Sequence, residues 1–210
     1  GRHIFLGPDF YFCITLLAQN WAYRPDLQVI GIGRDRAPGI PGFNILRYTP
    51  HRTPHPQQHP YLRQMESAVL HGQGMLRVLL ALKKKGFSPD VIVAHPGWGE
   101  TLYVRDVFPS AKVLHFCEWY YGTPDADLSF DPEFPASLDD AVRIRTWKAL
   151  HTLNLEHCDI GVSPTHWQQG RHPESHRSRI HVVHEGIDTK GLKADPQAWV
   201  RLRNSCQTTH

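Results

Sequence analysis

Asp90–Tyr121 reads DVIVAHPGWGETLYVRDVFPSAKVLHFCEWYY. Asp90-Val-Ile-Val-Ala94 is a short, continuous apolar run, introduced by Ser88-Pro89 and stopped by His95-Pro96-Gly97. Such a run suits a strand buried on both faces, as in a parallel sheet. Gly97 and Gly99 let the backbone turn tightly. A short helix then runs into Phe108-Pro109, and Lys112–Cys117 (KVLHFC) is the next strand. Each strand is followed by a dense polar and aromatic cluster: His95, Trp98 and Glu100 after the first, Glu118, Trp119 and Tyr120 after the second. Open parallel α/β sheets bind ligands in the crevice outside the carboxyl ends of their strands. Function is expected at this edge.

The rest of the chain extends the alternation. His3–Leu6 reads as a strand, Gly7-Pro8 as its turn, and Asp9 as the cap of a helix from Phe10 to about Trp21. Leu27–Gly33 is a second strand; Phe43–Tyr48 alternates apolar and polar and belongs nearer the sheet edge. Thr49–Pro60 holds too many prolines for a regular element. His51, His55 and His59 are four apart, but the prolines deny them a helix face, so the stretch reads as an extended surface loop rather than a metal site. Tyr61–Lys85 is a helix carrying Leu62, Met65, Val69, Leu76, Leu79 and Leu80, with Gly86 at its C′ position. Gly72 and Gly74 mark a bend or close packing.

Gly122–Pro135 is an acidic, proline-rich loop. Its Asp125, Asp127, Asp131 and Glu133 lack the spacing and turn glycine of a calcium hand. Ser137-Leu-Asp-Asp140 resembles a capping box opening a helix to about His157, with Leu138, Val142, Leu150 and Leu153 expected inside. Asp159–Ser163 is a strand, with Ser163 expected to cap a short helix at Thr165–Gly170. Arg179–His184 is the last strand, closed by Glu185-Gly186, and Asp195-Pro196 is placed to cap one more helical turn. About seven strands alternating with helices predict an α/β, Rossmann-like, doubly wound parallel sheet with helices on both faces. Residues 1–190 form this unit, and 191–210 read as a linker remnant or unpatterned tail.

Composition narrows the function. A net charge of +3 over 210 residues is too small to point to nucleic acid. Cys13, Cys117, Cys158 and Cys206 form no Cys-x-x-Cys pair and read as reduced thiols of a cytosolic protein. No signal peptide is evident, and no apolar run is long enough to span a bilayer.

Four stretches, DVIVAHPGWGETLY, AKVLHFCEWYYGTPDADLSFDPEF, CDIGVSPTHWQQ and RIHVVHEGIDT, resemble in order and spacing the amino-terminal domain of bacterial family 4 glycosyltransferases. The resemblance covers roughly Leu27 to Lys190. It implies one lobe of a two-domain GT-B enzyme. Such an enzyme is retaining, needs no metal or other cofactor, and moves a sugar from a nucleotide sugar to a glycan or glycolipid acceptor in cell-surface polysaccharide synthesis. It implies a cytoplasmic location, at the inner face of the membrane, and a second, donor-binding lobe as the main packing partner. Two departures stand out. The chain stops soon after the interdomain turn, where Glu185 replaces an Asn. The glycine-containing loop of relatives is replaced by Gly7-Pro-Asp-Phe-Tyr-Phe-Cys-Ile14, with bulky Phe10, Tyr11 and Phe12. The alternatives are a non-catalytic sugar- or nucleotide-binding module and an inactive fragment.

Gly97 and Gly99 are expected to bring backbone close to substrate, with Trp98 as a stacking platform, Glu100 as a hydroxyl acceptor and His95 beside them. Glu100 also suits a helix dipole in the first turn. At the next strand end the resemblance places an acceptor-contacting polar residue at His115 or Glu118. Alternation sends His115 inward and Glu118 into the crevice, which favours Glu118, unless Glu118 only pairs with an arginine on the surface. Of Trp119, Tyr120 and Tyr121, at least one must line the cleft. Thr165 and His166 either bind acceptor or sit in a first helical turn.

Overall fold

The structure, a computed structural model, describes residues 1–7, 12–122, 128, 131–187 and 189–199, with the backbone alone for 12–16. The expected cap at Asp9, bulky Phe10 and Tyr11, and the carboxylates Asp125 and Asp127 lie outside the described residues. The elements run β1 (Arg2–Leu6), α1 (Phe12–Ala22), β2 (Gln28–Arg34), β3 (Ile45–Tyr48), α2 (Pro60–Lys84) and β4 (Val91–Ala94). A 3₁₀ turn (Gly99–Thr101) and α3 (Val104–Val107) lead to β5 (Lys112–Phe116) and α4 (Leu138–Glu156). Then come β6 (Ile160–Ser163), α5 (His166–Arg171), α6 (Glu174–Arg177) and β7 (Ile180–Val182).

All seven strands are parallel, in the order β3-β2-β1-β4-β5-β6-β7. The doubly wound fold read from the sequence is the fold observed, with β3 at an edge. The chain moves one way from β1 to β3 and the other way from β4 to β7, so the order switches between β1 and β4. At such a switch point the loops leave in opposite directions and open a crevice.

Strand alternation divides the core. Ile4, Leu6, Ile92, Ala94 and Val113 pack with Met75, Leu79 and Leu82 of α2 and with Val104 and Val107 of α3. Phe5 and Val93 turn the other way, onto Ala18 of α1, Ala37, Ile40 and Phe43. Right-handed crossovers place the helices after β4, β5 and β6 on one face. On the α1 side, Leu17, Val93, Leu114, Phe116, Val162 and Val183 line an apolar groove.

α2 begins where the prolines of Thr49–Pro60 end. His59 caps it, its Nδ1 accepting from the Tyr61 amide at 3.2 Å. It ends in a Schellman motif: the Phe87 amide donates to Leu82 C=O at 3.1 Å, the Gly86 amide to Lys83 C=O at 3.0 Å, and Gly86 has φ +78°. Leu62 and Leu80, expected inside, are 46% and 49% exposed. Leu79 of the same stripe is fully buried and Leu76 packs against the core, while Ala68 and Gly72 meet the 3₁₀ turn and α2 also packs on α4. Close packing, not a bend, accounts for the glycines. A Cβ on Gly72 would stand 2.8 Å from Gly99 O, and one on Gly74 2.5 Å from the Tyr48 ring.

The Ser137–Asp140 capping box is present, and of the four residues expected inside, α4 buries Leu150 but not the other three. Leu138, Val142 and Leu153 are exposed; Ile144, Leu150, His151, Asn154 and Leu155 are buried. On this face Asn154 binds the turn after β4. Ser163 does not cap α5. Its Oγ donates to Cys117 C=O at 2.5 Å, and Thr165 caps instead, accepting from the Gln168 amide at 3.2 Å. The Asp195 segment makes a turn rather than a helix, with the Ala198 amide donating to Asp195 C=O at 3.0 Å.

Gly99→Ala is expected to destabilise the protein by about 1–3 kcal/mol or more, since its Cβ would sit 1.9 Å from Ala68 O. Gly39→Ala, which meets nothing within 4 Å, should change stability by less than about 0.5 kcal/mol. Urea unfolding of the two variants makes the comparison; equal midpoints would show that the turn does not depend on its contact with α2.

Candidate functional site

β4 ends at Ala94, and the chain turns through His95-Pro96-Gly97-Trp98 into the 3₁₀ turn. Hydrogen bonds hold this turn from several sides. The Gly97 amide donates to His95 Nδ1 at 3.0 Å, and Thr101 Oγ1 donates to His95 C=O at 2.9 Å. From α4, Asn154 Nδ2 donates to Pro96 C=O at 2.7 Å and to Trp98 C=O at 3.2 Å. A buried carbonyl left unpaired costs about 1–3 kcal/mol, which explains a polar residue on the buried side of α4. Gly97 is small for lack of room: a Cβ there would lie 3.0 Å from the His95 ring and 3.1 Å from the His151 ring.

Glu118 lies two residues past the end of β5. Because His95 Nδ1 accepts from Gly97, the ring proton is assigned to Nε2, which stands 3.6 Å from Glu118 Oε2. The Glu118 side chain is 49% exposed and that of His95 only 9%. Hydrogen bonding to His95 holds the Glu118 carboxyl below its usual range, outweighing the opposite effect of burial. Glu118 is therefore an ionised, reachable carboxylate braced from behind. Its side-chain partner among the described residues is this histidine, not an arginine.

His115 sits beneath. It pairs in register with Ala94, has no exposed surface, and neither ring nitrogen has a partner among the described residues. Burial pushes its pKa down to about 3. His151 of α4 is likewise lowered to about 3, by burial and then by His95. Tyr120 is 8% exposed and packs between His151 and His172 at ring separations of 5.6 and 5.5 Å. The structure thus places Tyr120 and His115 in the floor of the site.

Glu100, expected to accept a hydroxyl in the crevice, is 1% exposed. Its Oε1 accepts from the Tyr48 hydroxyl and from Arg34 Nε at 3.1 Å, with His71 Nδ1 4.0 Å away. Burial, the largest single effect, opposes the charge on Arg34, but Glu100 and Tyr48 together outweigh it and the guanidinium pKa is raised. Burial, reinforced by Glu100, raises Tyr48, which stays protonated and donates. Arg34 stands 6.0 Å over the Trp98 ring. Glu100 is a scaffold carboxylate holding Arg34, and Gly99 has no room for a side chain because α2 touches it.

Further along the edge, Trp119 packs against Trp167 at 5.6 Å, and Tyr121 packs on Trp147 at 5.7 Å. Thr165 spends its hydroxyl on the α5 cap, and His166 is exposed in the first turn beside it. Arg34, Asn154 and Trp167 escaped the sequence reading. Arg34 had a signal, a charged residue closing an apolar strand at its carboxyl end. Asn154 and His151 had a weaker one, polar residues three apart on a helix. Among the described residues no His, Cys, Asp or Glu cluster could hold a metal ion, and no helix is long and apolar enough to cross a membrane.

A seven-stranded parallel sheet, switched between β1 and β4 with its polar turns at the carboxyl edge, shares the doubly wound fold of GT-B glycosyltransferase lobes. Residues 25–192 match the glycosyl transferase family 4 group, and the chain belongs to that family. Os79 from O. sativa, solved in complex with UDP and deoxynivalenol-3-glucoside, is similar with a TM-score of 0.58 at 12% identity. The match covers 88% of this chain and 52% of that one. Sucrose-phosphate synthase from Thermosynechococcus elongatus gives a TM-score of 0.54 at 13% identity, covering 90% of this chain and 91% of that one. At such identities the likeness is one of fold. The chain spans about half the length of Os79. No curated protein matches it by sequence.

The buried histidines make stability pH-dependent. His115 and His151 have folded pKa values of about 3 against an ordinary 6.5. Between these values the unfolded chain takes up protons that the folded chain refuses, so stability falls as pH drops below 6.5 and is fully present above it. Each histidine contributes about 1.4 kcal/mol per pH unit. His115→Leu, which removes two unpartnered nitrogens, should be neutral or stabilising at pH 7 and should flatten the acid slope by about that amount. Urea unfolding between pH 4.5 and 7.5 reads this; an unchanged slope would show that His115 is protonated in the folded protein.

Proposed function

We propose that the crevice holds the hydroxyl of a sugar acceptor, and that Glu118, braced by His95, positions that hydroxyl for transfer from a nucleotide sugar. The observation that carries this reading is the 3.6 Å approach of His95 Nε2 to a half-exposed Glu118 at the strand end. A carboxylate whose pKa is held low is a weak base but a good hydrogen-bond acceptor. Glu118 therefore aligns the hydroxyl rather than stripping its proton, and the gain comes from orientation against the anomeric carbon. His95 touches the carboxylate and acts as its positioning residue. Trp98, Trp119 and His166 are the neighbouring groups available to contact the sugar.

In this reading residues 1–190 are the acceptor-side lobe of a retaining enzyme and 191–210 lead to a donor-binding lobe outside this sequence. The acceptor is a glycan or glycolipid of the cell surface, met at the cytoplasmic face of the membrane. Membership of the glycosyl transferase family 4 group and the half-length match to Os79 support it.

Glu118→Gln in the two-lobed protein should lower kcat/KM by about two to three orders of magnitude, about 3–4 kcal/mol, with little change in thermal stability. Activity within a few-fold of the parent would remove Glu118 from the site. The 210-residue chain alone should turn over no nucleotide sugar, because in this reading most of the groups that hold the nucleotide sugar belong to the second lobe. Turnover by the purified chain, with contaminating enzyme excluded, would overturn that assignment.

A further inference from the structure

Arg34 takes no part in the transfer as described, yet the fold holds it firmly at the same edge. It closes β2, and its register partner is Tyr48 on β3. Glu100, 1% exposed, grips it through Nε, and the indole of Trp98 lies 6.0 Å from its guanidinium. An arginine that served only to neutralise Glu100 would turn its fork onto the carboxylate, the usual two-bond geometry. Here the contact is through Nε at 3.1 Å. The Tyr48 hydroxyl is the other group beside the guanidinium. Arginine carries five N–H donors, so most of them have no acceptor among the described residues. The side chain is 29% exposed.

Around this strand end, among the described residues, arginines outnumber carboxylates, Arg34, Arg36 and Arg47 against Asp35 and the buried Glu100. Arg36 is exposed next to it, and Arg47 donates to the carbonyls of Asp35 and Ala37 in the same loop. Asp35 is occupied with the Arg36 amide and the Thr49 hydroxyl. A planar fork, fixed from behind and open in front, matches the two oxygens of a phosphate or carboxylate.

We infer that Arg34 binds an oxyanion, a phosphate or carboxylate, on the ligand that occupies the crevice. The ligand's identity rests on the transfer reading; the anion site itself does not. The oxyanion has two possible sources, an anionic acceptor or the diphosphate of the donor.

Direct binding tests the site without turnover. The chain is titrated by calorimetry with methyl phosphate, glucuronate, inorganic diphosphate and, as the neutral control, glucose. At least one anion should bind saturably and more weakly as salt rises, and glucose should not substitute for it. Arg34→Gln should weaken that binding about ten- to hundred-fold, and Arg34→Lys, which keeps charge but loses the fork, by less. Because Arg34→Gln strands the buried Glu100 carboxylate, the double variant Arg34→Gln/Glu100→Gln is measured beside it. The double variant should fold by circular dichroism and bind as weakly. Preference for methyl phosphate or glucuronate assigns the anion to the acceptor, and preference for diphosphate assigns it to the donor. Absence of saturable binding by all three anions, or unchanged affinity in the folded double variant, overturns the inference. Anion binding in a two-lobed protein that glycosylates no acceptor would end the transfer reading and leave the anion site standing.

Discussion

Gly99 lies against the backbone of Ala68, and no side chain fits between them: a Cβ would come within 1.9 Å of the Ala68 carbonyl oxygen. The arrangement of the crevice depends on this contact of two backbones. It seats the 3₁₀ turn on α2 and thereby sends Glu100, the next residue, into the space between Tyr48 and His71. On the other side of the glycine, Trp98 is left at the rim beneath Arg34. Thr101 then reaches back to His95 C=O and closes the turn at 2.9 Å. A larger residue at position 99 would push the turn off the helix and displace each of these groups together.

The second constraint is the carboxylate that this turn buries. Taking Glu100 out of water is costly unless partners replace the solvent, and removing one partner of such a pair typically costs about 3–5 kcal/mol. Oε1 has its partners in Arg34 and the Tyr48 hydroxyl, while Oε2 has none among the described residues. Half of the carboxylate is thus under-satisfied, which is an expensive way to hold a turn in place. What the expense secures is the orientation of Arg34, a long side chain that would otherwise lose its order in solvent. The polar network behind the crevice ties β2, β3, α2 and the 3₁₀ turn together, so the anion fork and the indole beside it are held by four elements at once.

Much of this architecture was legible in the residues. Continuous apolar runs such as Val91–Ala94 and their turn signals were enough for a parallel sheet, and the alternation KVLHFC was enough to send His115 inward and leave Glu118 outside. What could not be read was tertiary in origin. Gly99 announced itself as a tight place, but a sequence does not say whether the neighbour is a ligand or a helix. Leu138, Val142 and Leu153 looked like a buried stripe, yet α4 turns Asn154 inward, where it donates to the carbonyls of Pro96 and Trp98. Thr165 rather than Ser163 caps α5, because β6 runs to Ser163 and uses its hydroxyl on Cys117. In each case a hydrogen-bonding demand from a distant segment overrode a local apolar or capping preference.

The two glutamates at the crevice show how burial assigns roles to one chemical group. Both follow a parallel strand within a few residues, and both are near a histidine. Glu100 has 1% of its side chain exposed, with an arginine and a tyrosine hydroxyl on one oxygen; it has no surface on which to meet a ligand. Glu118 has 49% exposed and, among the described residues, has His95 as its side-chain partner, standing behind it. The depressed pKa of Glu118 comes first from that histidine hydrogen bond, with burial working against it. Its free oxygen therefore remains available to a hydroxyl in the crevice while its orientation is set from below. The division of labour between the two follows from where Gly99 allows the chain to touch α2.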